Sequence, residues 1–350
     1  MKILICNDNF GAHFYIRQGL GQAFASLGCH EVIFWNIFGP KSVNDAFDEF
    51  EPDLFFCQTY SLKPSIIKSV LERPHLKVVL KASDWGSLGD TIDRSKYSIL
   101  FANNKEIDIV LELYEKIPKS NMYLEIHYHS DFINITHNYW MKYIPVYSNL
   151  SACNIFEFTN GQFKPEYQCD LGFVGNYLPQ KSDILNQWLY PLCNKYKVKI
   201  FGNSLHPTHA YCGVLPDSEV KHAFKSSTIC INFHEKHSRD LGFDIIEKPY
   251  KIAGNKCFMI SDYVKGLYKL YGNSMVYAKT LEEFNEKINY YLKNPDERLS
   301  YIEQAFQITI QYHTYFERAY DIFNRLGYQE EANNILETKK EVLKKLRIEI

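Results

Sequence analysis

The chain has 350 residues, with 39 basic against 41 acidic side chains, 46% hydrophobic residues and 15% aromatics. That length fits two domains, each large enough to bury its own core. A formal charge of −2 lacks the basic excess with which nucleic-acid binders neutralise phosphates, so no nucleic-acid partner is expected, and the apolar content excludes a disordered chain.

No apolar run reaches the roughly 18 to 20 residues of a membrane-spanning helix. The opening Met1–Cys6 turns polar at Asn7-Asp8-Asn9, too soon for a signal-peptide core. A soluble, cytoplasmic protein without a transmembrane segment is the expectation. Nine cysteines, none in a Cys-x-x-Cys pair, fit a reducing compartment.

The first half alternates short β-like runs with longer amphipathic stretches, the pattern of a parallel sheet flanked by helices. Strands are predicted at Lys2–Cys6, Glu31–Trp35, Asp53–Cys57, Leu76–Leu80, Tyr97–Phe101 and Met122–Ile126. Helices are predicted at Phe14–Leu27, which Gly28 ends, and at Pro64–Glu72. Loops at 7–12 and 83–89 follow strands, and open α/β sheets bind ligands at strand C-terminal ends.

After the irregular stretch at Thr159–Glu166 the pattern restarts. Cys169–Val174 reads as a new first strand running into a Gly175-Asn176 turn, and Ser182–Tyr196 as its helix. Val198–Phe201 reads as a strand ending in Gly202-Asn203. Asp217–Phe224 follows as a helix capped by Asp217 or Ser218. Thr228–Phe233, Asp244–Ala253 and Cys257–Ser261 read as strand, helix and strand. The chain is mostly helical from Leu281, and Glu330–Ile350, with mixed charges, reads as a solvated amphipathic helix. The organisation is two α/β domains, 1–160 and 161–325, and a helical extension, 326–350.

The stretch Ile231–Gly254 carries the densest chemistry. It reads as a strand ending near Asn232, a polar loop with His234 and Arg239, and a helix opening near Gly242 that bears Glu247 and Lys248. A helix N-terminus beside an arginine presents free N–H groups and positive charge to one point, which suits a diphosphate. Glu247 is a candidate acceptor of ribose hydroxyls.

This segment resembles the donor-binding region of the two-domain GT-B glycosyltransferases. More narrowly, the chain is similar to the glycosyltransferases related to the spore-maturation protein CgeB. The similarity rests on Tyr143-Ile144-Pro145 as a linker, Asp170-Leu171-Gly172-Phe173-Val174-Gly175-Asn176 at the start of the second domain, and Phe258-Met259-Ile260-Ser261-Asp262. It spans about Tyr143 to Phe323. The Glu247-Lys248 pair also resembles the donor helix of α-1,3-fucosyltransferases, so the resemblance leaves UDP and GDP open.

Two positions depart from the family pattern. Where many retaining GT-B enzymes carry a glutamate eight residues before a second one, this chain has Arg239 ahead of Glu247. The turn that is often glycine-rich reads Gly254-Asn255-Lys256-Cys257, whose side chains would hinder close backbone approach.

The resemblance implies two Rossmann-like domains facing across a cleft, the second binding a nucleotide-diphosphate sugar and the first a hydroxyl acceptor on a glycan, protein or lipid-linked carrier. A hexosyltransferase of glycan biosynthesis is the expectation. Candidate donor-binding residues are Gly175, Asn176, Lys181, Gly202, Asn203, Asn232, His234, Arg239, Glu247 and Lys248. Each has a structural alternative: tight turns for the Gly-Asn pairs, solvated surface groups for the charges. Asp84, after a strongly apolar strand, is a candidate base for the acceptor hydroxyl, or else a helix cap, and His13 is the alternative base. His127 and His129 alternate on a presumed strand at a spacing that permits a metal site. No Asp-x-Asp signature accompanies them, so transfer without metal or other cofactor is expected, the leaving charge being stabilised by Arg, Lys and helix N–H groups. A sugar-nucleotide epimerase of the same fold, or an inactive sugar- or nucleotide-binding protein, are the alternatives.

Overall fold

The computed structural model describes residues 1–7, 11–82, 104–243 and 245–349, which form two compact units. Met1–Leu150 and Tyr315–Glu349 make the first, and Ser151–Thr314 the second.

The first unit is built on a six-stranded parallel sheet: β1 Lys2–Asn7, β2 Glu31–Asn36, β3 Leu54–Gln58, β4 Lys77–Lys81, β5 Met122–Ile126 and β6 Val146–Ser148, ordered β2-β1-β3-β4-β5-β6. β3 and β5 are buried along their whole length, as the continuous apolar runs of a parallel sheet covered on both faces require. β6 corrects the reading of Tyr143-Ile144-Pro145 as a linker, because those residues lead directly into the last strand of this sheet. The strand predicted at Tyr97–Phe101 lies outside the described residues. His127 and His129 follow the end of β5 rather than alternating on it, and His129 Nδ1 accepts the Asp131 N–H (3.2 Å) in the next turn.

The predicted boundaries at 160 and 325 differ from the observed ones for a packing reason. The helix Tyr315–Arg325 is amphipathic, and its buried face returns to the first unit. The Phe323 ring packs at a tilt against Phe24 of the helix Gly11–Ala25 (4.9 Å between centroids), and the Tyr315 ring occupies the space that a Cβ on Gly19 would need. Arg318 Nε donates to Leu150 O (2.8 Å) and Arg325 Nη2 to Ser148 O (2.9 Å). The last helix, Gln329–Lys345, is not solvated all round. It buries Ala332, Ile335, Val342 and Leu343, and Lys339 pairs with Glu317 of the preceding helix.

The second unit holds a five-stranded parallel sheet: β7 Cys169–Val174, β8 Val198–Phe201, β9 Ser227–Asn232, β10 Met259–Asp262 and β11 Val276–Ala278, ordered β11-β10-β9-β7-β8. Leu171, Phe173, Ile200, Ile229, Ile231 and Ile260 are strand side chains of its core, and Phe233 joins them from just after β9. The chain leaves β7 to one side for β8 and returns on the other for β9. Loops after β7 and β9 therefore diverge, and the crevice between them is the topological switch point where such sheets receive ligands.

Three local expectations change here. The helix predicted at Ser182–Tyr196 is a broken ribbon of one α turn, a π turn at Leu185–Leu189 and a 3₁₀ turn at Tyr190–Asn194, because Pro191 lacks the N–H that a continuous helix needs. The helix predicted at Asp244–Ala253 is two helices, Lys236–Leu241 and Lys248–Gly254. Gly242, at φ 81°, caps the first in left-handed geometry rather than opening the second. The cap before Asp217–Lys225 is Pro216, which leaves Asp217 in the first turn.

Candidate active site

At the switch point of the second unit the ends of β7 and β8 are joined into one turn. Gly175 N–H donates to Phe201 O (2.8 Å), and Asn203 N–H donates to Asn176 Oδ1 (2.7 Å). Tyr177 N–H donates to Ser204 Oγ (2.5 Å). The structure thus brings together four of the residues singled out in the sequence, Gly175, Asn176, Gly202 and Asn203.

His206 fixes this turn. Its Nε2 lies 2.9 Å from Gly175 O and its Nδ1 2.9 Å from Tyr190 Oη. A carbonyl only accepts, so Nε2 carries the proton and Nδ1 accepts from the tyrosine. Burial pushes its pKa down, against the bond to the carbonyl, and the charge of Lys248 adds to the lowering.

Lys248 lies against the same turn, with Lys181 close enough to act on its charge. A Cβ on Gly175 would stand 3.1 Å from Lys248 Nζ, so the missing side chain opens the approach to this amine. Nζ sits 4.3 Å over the Phe173 ring and is buried, with no hydrogen-bond partner among the described residues. Burial pushes its pKa well below the ordinary lysine range, Lys181 adds to this, and Asp262 opposes it. Lys181 is also buried, 3.8 Å from Glu235. Two buried amines beside strand-end backbone form a place where an anion is favoured and water is largely excluded.

Asn232 and His234 lie at the end of β9, two residues apart, and both are buried. Asn232 Nδ2 donates to Ser261 Oγ (2.9 Å), while its Oδ1 is buried without a partner among the described residues. His234 Nδ1 lies 2.8 Å from Asp262 Oδ1, and the His234 backbone N–H donates to the same carboxylate (3.0 and 3.2 Å). Burial alone would raise the Asp262 carboxyl. The charge and hydrogen bonds of His234, with Arg239 nearby, outweigh it and hold Asp262 below its usual range. Asp262 was legible only as the last letter of a strand motif; the histidine it grips lies 28 residues away in the chain.

Arg239 sits on the helix Lys236–Leu241, not in a loop. Its Nη1 donates to His234 O (2.9 Å) and its Nη2 bonds Asp183 (2.5 Å). Beside it opens a cleft of about 330 Å³ lined by Asp183, Trp188, Arg239, Asp262, Tyr263 and Lys279, within the range of small-ligand pockets. Glu247 stands just before its helix and is buried, with Oε2 2.8 Å from Lys251 Nζ. In the turn after that helix Lys256 adopts φ 50°, so a lysine supplies the left-handed geometry expected of glycine. Asp84 lies outside the described residues. His13 falls in the helix Gly11–Ala25, and its side chain lies outside them too. Among the described residues no group of three or more His, Cys, Asp or Glu side chains is placed to hold a metal ion. Among the same residues no helix is long and apolar enough to cross a membrane.

Residues 181–324, which contain Lys181, Asn232, His234, Arg239, Lys248 and Asp262, match a family model described as glycosyl transferase-like. That stretch is similar to the glycosyl transferase-like family. T4 phage BGT in complex with its UDP-glucose substrate matches with a TM-score of 0.59 at 13% identity, over 95% of this chain and 99% of that one. Sucrose-phosphate synthase from Thermosynechococcus elongatus matches with a TM-score of 0.65 at 9% identity, over 95% and 99%. A glycosyltransferase from Rickettsia africae gives 0.61 at 11% identity, over 94% and 98%. At such identities the likeness is one of fold, and the fold, two parallel-sheet α/β units with a helical C-terminus, is GT-B. The search of curated proteins finds no match.

Proposed function

We propose that the protein is a glycosyltransferase of the CgeB-related kind, a hexosyltransferase that moves a sugar from a UDP- or GDP-sugar to a hydroxyl acceptor without a metal. The observation that carries this reading is the unpartnered, buried Nζ of Lys248 beside Lys181 at the side-chain-free Gly175 turn. A diphosphate supplies the hydrogen-bonding negative partner that Lys248 lacks, and the glycosyl transferase-like match covers both lysines.

In this reading the Gly175-Asn176 and Gly202-Asn203 turns pass close to the phosphates. The cleft beside Arg239 takes the nucleoside, and Glu247, steadied by Lys251, accepts from the ribose. Lys181, Lys248 and Arg239 stabilise the charge that develops on the departing diphosphate. Asn232 and His234 line the donor side. On the acceptor side, where a glycan, protein or lipid-linked hydroxyl would bind, Asp84 is the proposed base and His13 its alternative.

Calorimetric titration with UDP, GDP, UDP-glucose and GDP-mannose tests the reading. Micromolar to millimolar binding of at least one, weakened at least tenfold in Lys248→Met, is expected. No binding by any of a full panel of nucleotide sugars overturns it. Formation of an isomerised sugar from the donor alone, without acceptor, would favour an epimerase instead.

A further inference from the structure

His234 is more than a lining residue of this site. Its ring is fully buried, its Nδ1 is committed to Asp262, and its Nε2 is buried with no hydrogen-bond partner among the described residues. An ionised carboxylate only accepts, so Nδ1 carries a proton and Nε2 is the position free to exchange one. A buried, unsatisfied ring nitrogen is destabilising, and a ligand atom that bonds it removes the penalty. Asn232 Oδ1, two residues earlier in the chain, and Lys248 Nζ, which lies within electrostatic reach of Asp262, are likewise buried without a partner among the described residues. Three unsatisfied polar atoms, from the last residue of β9, the loop just after it and the helix Lys248–Gly254, mark the place of a polar ligand, not a packing defect.

We infer that His234 is a catalytic residue of the transfer, donating a proton from Nε2 to the departing diphosphate, with Asp262 as its positioning residue. The inference rests on the functional reading above. Asp262 from β10 faces the ring, Arg239 donates to His234 O, and Lys248, itself beside Lys181, lies within electrostatic reach of Asp262.

In the step itself, the bond between the anomeric carbon and the terminal phosphate oxygen breaks and its electron pair goes to that oxygen. The Nε2 proton moves to the same oxygen and leaves a neutral imidazole that keeps Nδ1–H on Asp262. The acceptor hydroxyl oxygen forms the new bond to the anomeric carbon and loses its proton to the acceptor-side base. Solvent then returns a proton to Nε2. Asp262 changes charge at no point. It holds the ring plane and ensures that only Nε2 is available.

The test uses the full chain and whichever sugar nucleotide of a UDP- and GDP-linked panel it turns over fastest, read as release of nucleoside diphosphate across pH 5 to 9. His234→Asn keeps an amide N–H near the Nδ1 position for Asp262 and deletes Nε2. His234→Gln places an amide near Nε2 that can donate a hydrogen bond but not a proton. Both are expected to lower kcat by about 10² to 10⁴ and to abolish the fall in kcat on the alkaline side. Donor affinity should change less than fivefold in His234→Gln. Asp262→Asn should lower kcat and move that alkaline limb. A structural role alone would leave the shape of the pH profile intact. Either folded His234 variant, verified by its melting curve, with an unaltered alkaline limb and wild-type kcat overturns the inference while leaving the functional reading standing. Failure of the wild-type protein to bind or turn over any of the panel overturns both.

Discussion

A Cβ on Gly202 would collide with the carbonyl oxygen of Gly175, so the ends of β7 and β8 can approach as they do only because residue 202 has no side chain. The obstacle is backbone just past the end of β7, held by the Gly175 N–H bond to Phe201 O, and cannot swing aside as a side chain would. Gly202→Ala should therefore part the two turns, break the Asn203 N–H to Asn176 Oδ1 bond, and destabilise the second unit by about 1 to 3 kcal/mol. Nucleotide affinity should fall with it. Calorimetric melting together with nucleotide titration checks both effects, and an alanine variant with wild-type values in each would refute the account.

Lys248 gives a prediction in which stability and binding move in opposite directions. Its folded pKa is depressed, first by burial and then by Lys181, so the unfolded chain binds the extra proton more readily. The sign follows: this group lowers stability at neutral pH, and the loss diminishes as pH rises toward the ordinary lysine range. Lys248→Met should consequently raise the melting temperature near pH 7, and the advantage should shrink by pH 10. A bound diphosphate reverses the electrostatics at Nζ, so binding to the wild type near pH 8 should take up a proton. Titrations in two buffers of different ionisation enthalpy read that uptake directly, and Lys248→Met should abolish it.

Much of this architecture was legible before any coordinates. Parallel strands announce themselves as short apolar runs such as Leu54–Cys57 and Ile229–Ile231, and a glycine after such a run marks a strand end. The pattern was silent on whatever depends on distant residues. Nothing local to Asp262 says that it will hold His234, and nothing local to Phe323 says that its helix leaves the preceding fold. Gly242 misled because glycine can sit on either side of a helix end, and only its positive φ shows that it closes one. Pro191 was the clearest missed signal, since a proline inside a predicted helix is itself a reason to break it.

The return of the C-terminal helices to the first unit can be tested through Phe323. Its fully buried ring packs on Phe24 and lies 5.6 Å from His30, all within the first unit. Phe323→Ala should cost about 3 to 5 kcal/mol by lost burial and the cavity it leaves. Hydrogen exchange should show the loosening in β1, β3 and the helix Gly11–Ala25, while the second-unit strands β7 to β11 keep their protection. Increased exchange confined to the second unit would contradict the observed division of the chain.

The Arg239–Asp183 pair separates a surface ion pair from a structural bond on one side chain. Asp183 is about half exposed, so its pair with Arg239 should contribute only about 0 to 1 kcal/mol, and less in high salt. The other arm of the guanidinium donates to the carbonyl of the fully buried His234. Asp183→Asn should leave the melting temperature nearly unchanged, whereas Arg239→Ala should cost about 1.5 to 3 kcal/mol. It should also disturb the ring held by Asp262. Melting curves of the two variants at low and high salt decide between this asymmetry and equal contributions.

Gly254 tests packing at the turn where glycine richness is replaced by Asn255-Lys256-Cys257. A Cβ there would collide with Cys153 Sγ, a buried thiol whose pKa burial raises far above its usual value. Unlike the carbonyl beside Gly202, the obstacle here is a side chain and can be removed. Gly254→Ala alone should destabilise by about 1 to 3 kcal/mol through overpacking, and Cys153→Ala alone by a smaller amount through the gap it leaves. The double variant exchanges one heavy atom for another at nearly the same point, so it should recover most of the loss. The two changes would then couple favourably by about 0.5 to 3 kcal/mol. Strict additivity in the double-mutant cycle would show that the collision is relieved by backbone movement, and that the turn tolerates a side chain at 254.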